Sequence, residues 1–417
     1  MKKILFLIRS FPNTLGSATI LCSHRVIKCT ADSGKFEVHV LCYRYPHELK
    51  EEKIGGIYVH RFEPSCWTKM RNYLFVNRKH LRLNRIFEII QKTITIPAYP
   101  KKEPLTTELF YKTANRLYNT LCYDLVISEH HGLSSLLTGC KLMKNIKELK
   151  HVALMWDPLK GEMATMKLPA SFTNRRIDLI EKYVSDYTTL QISFSSMRDY
   201  HLKNGDIAAD HRVYLGVPSI LEPEEEVETE YLGLIKKNDI NIVFSGLLSQ
   251  HYRDALPIIR LLNLCDCAER INLVFFSRGQ KEQVEQEAKN FRGTVVYHDY
   301  IPLSELHTMY RHADYLLNVS HINANMVPSK IFEYMSYGKP IISTYITEGD
   351  SAAMFVRQYP EGICVDLKMS DKENLMNLNN FFNREHKSVS FEIVKKKFEE
   401  ETPEKYFEVI NNVCIEN

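Results

Sequence analysis

Long apolar runs are absent from this 417-residue chain. None approaches the roughly 18 consecutive apolar residues that a membrane-crossing helix needs. The N-terminal candidate, ILFLI, is short and is followed by Arg9 and Pro12 without a small-residue cleavage site, which argues against a secretory leader. A cytoplasmic protein is expected, with a peripheral place at the inner face of the membrane left open. No excess of one charge sign is present: 54 Lys and Arg face 51 Asp and Glu, a net +3. That is too little to imply nucleic acid. Cysteine patterning is missing too. Ten cysteines are scattered, and Cys265 and Cys267 have no second pair to complete a zinc site, so reduced structural thiols are expected.

What is present is an α/β rhythm, written twice. KILFLI (3–8) is followed by a loop with Pro12, Gly16 and Ser17, a helical pattern from Ala18 to Ser33 and a second apolar run, FEVHVLCY. DLVIS (124–128), KHVALMW (150–156) and TTLQIS (188–193) continue the series. A break follows at HRVYLGVPS, and EPEEEVETE (222–230) carries six Glu in nine positions, the composition of a solvated linker. The rhythm restarts with INIVFSG (240–246), INLVFFS (271–277), GTVVYHD (293–299), ADYLLNVS (313–320) and KPIISTY (339–345). Apolar strands alternating with helices predict parallel sheets covered on both faces. The expected organisation is an N-terminal domain over 1–217, an acidic linker over 218–230, a second domain over 231–390 and a C-terminal helix over 391–417, free to pack back toward the first domain. Ligands of doubly wound sheets sit at the carboxyl ends of the strands, so two such domains predict a cleft between them.

The densest polar cluster is PSKIFEYMSYGKPII (328–342). On a helical wheel Lys330, Glu333, Tyr334 and Tyr337 share one face, and Ile331, Phe332 and Met335 take the other. Pro328 suits a first helical turn, and Gly338 suits a helix end. Free amides and a lysine at a helix start favour an anion. A carboxylate one turn deeper suits a pair of ribose hydroxyls. The competing reading is a surface ion pair at i,i+3.

This stretch, preceded by ADYLLNVS, resembles the nucleotide-sugar motif of retaining GT-B glycosyltransferases of the family 4 (group 1) type, in the PSK-x-x-E variant of E-x7-E. The resemblance runs in order through the chain: the first strand and its glycine loop, DLVISEHH, HRVYLGVP, NIVFSGLLS and the motif helix. It implies an α/β, GT-B fold of two Rossmann-like domains facing a central cleft. The activity it implies is sugar transfer from a nucleotide-diphosphate sugar to a glycan or lipid-linked acceptor, with retention of configuration. Glu333 would meet the donor ribose, and amides and basic groups its diphosphate. A surface polysaccharide or lipid-linked glycan is the implied product, and closure of the two domains about the linker is expected.

The departures from the pattern are specific. Asn325 stands where the first glutamate is usual, and Leu247 follows Gly246 where an arginine is usual. Tyr252 occupies the usual lysine position, which leaves Arg253 as the natural diphosphate ligand. Ser329 and Lys330 complete the donor set. In the first domain Gly16 would let the loop approach a ligand. Asp157 closes a strand, but Trp156 precedes it where the family often has histidine, so that function is either missing or supplied elsewhere, with His130 and His131 after DLVIS as the candidates. Asp157 and His131 are the catalytic candidates. No D-x-D element follows a strand, so neither a metal nor another cofactor is expected.

Trp67 to Lys102 holds nine basic residues, Lys69 and Arg71 among them, against Glu88, interleaved with Tyr73, Leu74, Phe75, Ile86, Phe87 and Ile89. Such a patch suits anionic headgroups or a lipid-linked acceptor; a solvated loop and helix with buried aromatics is the alternative. Two other functions stay open on the sequence alone: a GT-B nucleotide-sugar epimerase, or a non-catalytic GT-B-derived binding protein.

Overall fold

A computed structural model describes residues 1–12, 18–76, 86–87, 89–90, 93–130, 132–159, 169–204, 211–322 and 328–415. The chain forms two compact units, Met1–Pro218 with Pro403–Asn417, and Ser219–Thr402. Among the described residues no helix is long and apolar enough to cross a membrane. All ten cysteines are free.

The first unit is built on an eight-stranded sheet in the order β3-β4-β2-β1-β5-β6-β7-β8. Its strands are β1 (Lys2–Leu7), β2 (Phe36–Tyr43), β3 (Glu51–Ile54), β4 (Ile57–Phe62), β5 (Leu125–Glu129), β6 (Lys150–Met155), β7 (Leu190–Phe194) and β8 (Arg212–Leu215). All pairs are parallel except β3 with β4. The middle strands are apolar on both faces because helices cover both: Ile4 to Ile8 and Leu125 to Ile127 are fully buried. The β3–β4 hairpin was not legible as two strands from alternation. Its turn is Gly55-Gly56, both at positive φ (52° and 85°), the backbone that a tight two-residue hairpin demands. Glu51 and Lys53 are exposed on the edge strand, where charge discourages pairing with other chains.

The second unit has a six-stranded, all-parallel sheet in the order β11-β10-β9-β12-β13-β14. These strands are β9 (Ile240–Leu247), β10 (Ile271–Arg278), β11 (Thr294–His298), β12 (Tyr315–Asn318), β13 (Ile341–Tyr345) and β14 (Gly362–Asp366). One core packs Ile242, Phe244, Leu273, Phe275 and Leu317 against Ile258, Leu262 and Leu378 of the covering helices.

Two expected boundaries differ. The acidic run does not float as a linker. It lies along helix Leu303–His312: Val227 N–H donates to Thr308 Oγ1 at 3.0 Å, Glu224 meets His307 at 3.2 Å, and Glu226 meets His312 at 2.7 Å. Arg311 also donates to the carbonyls of Pro223 and Glu224. Two histidines meet carboxylates of the run and an arginine meets its carbonyls, all from the facing helix. The C-terminal segment is two helices, Phe391–Lys397 and Pro403–Ile415, with a single 3-10 turn between them. Proline disfavours helix in the residue before it, so Thr402 is extended and a new helix starts at Pro403. That last helix belongs to the first unit: Tyr406 donates to the Gly216 carbonyl at 2.7 Å and packs against Trp156.

Candidate donor-binding site

In the second unit the carboxyl ends of β9, β10 and β12 carry the residues of interest. Helix Lys330–Ser336 follows β12. Ile331, Phe332 and Met335 are fully buried, each contributing about 1.5–3 kcal/mol of apolar burial. Tyr334 is buried too, and its hydroxyl accepts from Ser245 N–H of β9 at 3.2 Å. The helix ends at Gly338, whose φ is +68°. A Cβ there would stand 2.2 Å from the Val389 carbonyl oxygen, so only glycine fits.

Lys330 and Glu333 meet: Nζ donates to Oε2 at 2.9 Å and to the Tyr310 hydroxyl at 3.1 Å. Glu333 is 4% exposed, so this is no surface ion pair; the carboxylate is held inside, at the sheet's edge. The hydroxyl of Tyr310 is hydrogen-bonded in turn to Ser245 Oγ, and its ring packs edge-on to Tyr334 with centroids 5.1 Å apart. The first-turn amides are less available than the sequence suggested. Those of Ile331, Phe332 and Glu333 already bond the carbonyls of Pro328 and Ser329 at 3.2–3.3 Å. An anion at this edge must therefore be met chiefly by side chains.

Arg253 closes a tight turn after β9, bridged backbone to backbone with Ser249. Its Nε is buried and makes no hydrogen bond. Burial pushes its pKa down, with only the phenols of Tyr334 and Tyr300 opposing. Among the described residues no carboxylate pairs with it. The guanidinium reaches over the strand end beside Gly246 (φ +148°), where a Cβ would meet Nη1 at an ordinary contact distance of 3.5 Å. The same turn is tied to the loop after β12, with Ile322 N–H donating to the Tyr252 carbonyl at 2.8 Å and the Tyr252 ring stacked on His321.

Two residues that sequence reasoning missed complete the cluster. Arg278, the last residue of β10, lies over the ring of Tyr300 at 4.6 Å. Tyr300 has its pKa raised by burial, while Arg278, Lys330 and Arg253 all pull the other way, so one phenol is within electrostatic reach of three cations from three strand ends. The readable signal was a charged residue and a glycine, Arg278-Gly279, directly after an apolar strand. Asn325 lies outside the described residues. Ser329 caps the motif helix by position, without a side-chain hydrogen bond.

In the first unit, Gly16 and His131 lie outside the described residues. Asp157 follows β6, and its carbonyl is hydrogen-bonded to His130 Nδ1 at 2.9 Å. Trp156 is buried and donates to Ser23 Oγ at 2.8 Å. Ser23 in turn donates to Glu129 Oε2 at 2.5 Å, while Glu129 Oε1 accepts from Arg9 N–H at 2.7 Å. Glu129, fully buried at the end of β5, was also missed. Burial raises its pKa to about 7, against the pull of Ser23, Arg9 and His130.

Residues 240–374 match the family model of glycosyl transferases group 1. No curated protein matches the chain by sequence. Among solved structures, Anabaena HepE in complex with UDP and glucose is 14% identical with a TM-score of 0.62, covering 99% of both chains. The sucrose-phosphate synthase of Thermosynechococcus elongatus is 12% identical (TM-score 0.64; 99% and 98% covered). WaaG, a glycosyltransferase involved in lipopolysaccharide biosynthesis, is also 12% identical (TM-score 0.58; 98% and 99% covered). The fold is GT-B. The family match spans every strand of the second sheet.

Proposed function

We propose that this protein moves a sugar from a nucleotide-diphosphate sugar to a glycan or lipid-linked acceptor, with retention of configuration. The observation that carries this reading is the cluster at the strand ends of the second unit: Arg253, Arg278 and Lys330 around the Tyr300 phenol, with Lys330 bonded to the buried carboxylate of Glu333. Three cations suit a diphosphate, and guanidiniums bind it through paired N–H groups. Glu333 would accept from the ribose hydroxyls, and Asn325 and Ser329 would add neutral hydrogen bonds. As the sugar leaves, charge grows on the diphosphate, and fixed positive groups at that point lower the barrier. We assign them this work without a metal ion.

The first unit would take the acceptor, and Asp157, His131 and Gly16 are the residues we assign to its part in the reaction. The role in surface polysaccharide synthesis rests on the kinship with proteins such as WaaG. Peripheral membrane contact through 67–102 is part of the proposal. Trp67, Met70, Tyr73, Ile86, Ile89, Ile90 and Ile94 are all exposed, an apolar set that suits insertion at a headgroup boundary.

The test is thermal unfolding with uridine or guanosine diphosphate, on the wild type and on Glu333→Ala. One nucleotide should raise the wild-type midpoint, and Glu333→Ala should lose most of that rise. If neither nucleotide stabilises the wild type, the donor site does not exist as drawn.

A further inference from the structure

A second cationic centre lies in the first unit. Arg9 stands just beyond the carboxyl end of β1, and Tyr43 ends the neighbouring β2. Arg71 projects from helix Cys66–Val76. Both guanidiniums turn to one carboxylate: Arg9 Nη2 lies 4.0 Å from Glu103 Oε1, and Arg71 Nη2 is in contact with the same oxygen. The other oxygen, Oε2, accepts from the Tyr43 hydroxyl at 2.9 Å. Arg9 also donates to Asn72 Oδ1 at 3.3 Å, and its Nε is buried without a hydrogen bond.

The charges do not balance. Two guanidiniums share one carboxylate; the other acid near Arg9, Glu129, is bonded to its backbone N–H and is held toward its neutral form by burial. One arginine is enough to tether the carboxylate; the second adds a desolvation cost. Burial pushes the pKa of Arg71 down, Glu103 opposes, and Arg9 adds to the fall. The side chains are partly open, 18% for Arg9 and 25% for Arg71, while Glu103 is 6% exposed. Solvent therefore reaches the guanidiniums more readily than the carboxylate. The centre sits at the carboxyl edge of a parallel sheet, where such folds bind ligands.

We propose that Arg9 and Arg71 form an anion subsite that holds a singly charged oxyanion of the acceptor, either a phosphodiester or a carboxylate. This rests on the first unit being the acceptor side. One surplus positive charge matches one negative charge. Two guanidinium forks converging on one point can grip a group with two equivalent oxygens. Glu103 holds the forks in place and competes with the ligand for them.

The experiment uses the full chain carrying Arg253→Ala and Lys330→Ala, so that donor-site cations do not capture the probe. Dimethyl phosphate and acetate are titrated separately, and binding is followed by calorimetry. The parent should bind at least one probe. Arg71→Gln should weaken that binding about tenfold or more, the worth of a charged hydrogen bond. Glu103→Gln should tighten it, because the competing charge is gone, and a gain of affinity cannot come from misfolding. Preference for acetate supports the subsite and marks a carboxylate-bearing acceptor; preference for dimethyl phosphate supports it and marks a phosphodiester. The proposal is overturned if neither probe binds, or if Glu103→Gln weakens binding and lowers the unfolding midpoint together, as a purely structural triad requires. Nucleotide binding by the wild type is measured apart, so loss of the donor reading and loss of this subsite are separable.

Discussion

Glu129→Gln isolates one buried charge, and its effect on stability should depend on pH. The carboxyl is fully buried, and burial moves it from 4.5 to about 7. A folded-state pKa above the unfolded one means that the stabilising contribution is complete below about 4.5 and is lost as pH rises through about 7. A shift of that size corresponds to about 3 kcal/mol. Glutamine cannot ionise, so the variant escapes this loss. It gives up the short bond from Ser23 to Oε2, a constant offset of about 1 kcal/mol. At pH 5 the wild type has already lost about 1 kcal/mol of that contribution, so Glu129→Gln should be about as stable as the wild type, and at pH 8.5 about 2 kcal/mol more stable. Urea unfolding followed by tryptophan emission reads the relevant unit, since both tryptophans, Trp67 and Trp156, lie in it. A stability difference that stays flat from pH 5 to 8.5 would refute the reasoning, because Glu129 would then ionise no differently in the folded and unfolded chain.

Arg253→Ala should cut nucleoside diphosphate affinity roughly 10- to 100-fold while leaving the nucleotide-free midpoint unchanged or higher, because it removes a desolvated guanidinium without a carboxylate partner. Calorimetry and thermal unfolding on one preparation check both halves. Gly338→Ala places a methyl against the Val389 carbonyl at a left-handed φ and should cost about 2 kcal/mol or more, read as a lower urea midpoint for the second unit. Transfer activity, once an acceptor is found, should survive exhaustive chelation; a complete loss restored by added Mg²⁺ would transfer the charge-stabilising work from the arginines to a metal.

The two-sheet architecture was legible because a strand buried on both faces leaves an unbroken apolar word: KILFLI, INIVFSG and INLVFFS needed no tertiary knowledge. What stayed hidden was short or marginal. β8 is four residues long, and β14 is a half-exposed edge strand written GICVD. The β3–β4 hairpin was hidden by its charged edge, although Gly55-Gly56 announced the turn. At the candidate donor site, the pairing of Lys330 with Glu333 was legible because one helix carries both. Arg278, Tyr300 and Glu129 were not. A single polar residue after an apolar strand looks like an ordinary exit to solvent, and only strands brought together from elsewhere in the chain show what it faces. The same limit governed Arg71, read as one cation of a surface patch and found turned inward to Glu103.

The departures from the usual motif carry a physical consequence of their own. Leu247 and Tyr252 replace basic residues and are exposed, so the loop after β9 offers one cation, Arg253, instead of two. Arg278 and Lys330 supply the rest from other strand ends. The three are not equivalent. Lys330 already holds Glu333 and Tyr310, so an arriving diphosphate would share an ammonium that has partners. Arg278 is exposed and rests on an aromatic face, so it must shed water to bind. Arg253 is desolvated before any ligand arrives, its Nε buried and unbonded. The cost of stripping water from that group is met during folding by apolar packing such as that of Ile331 and Phe332, not at the moment of binding. An anion that reaches Arg253 gains close to the full worth of the contact. On this reasoning Arg253 would dominate the proposed diphosphate affinity, while Lys330 would act mainly by fixing the carboxylate of Glu333 where ribose hydroxyls would meet it.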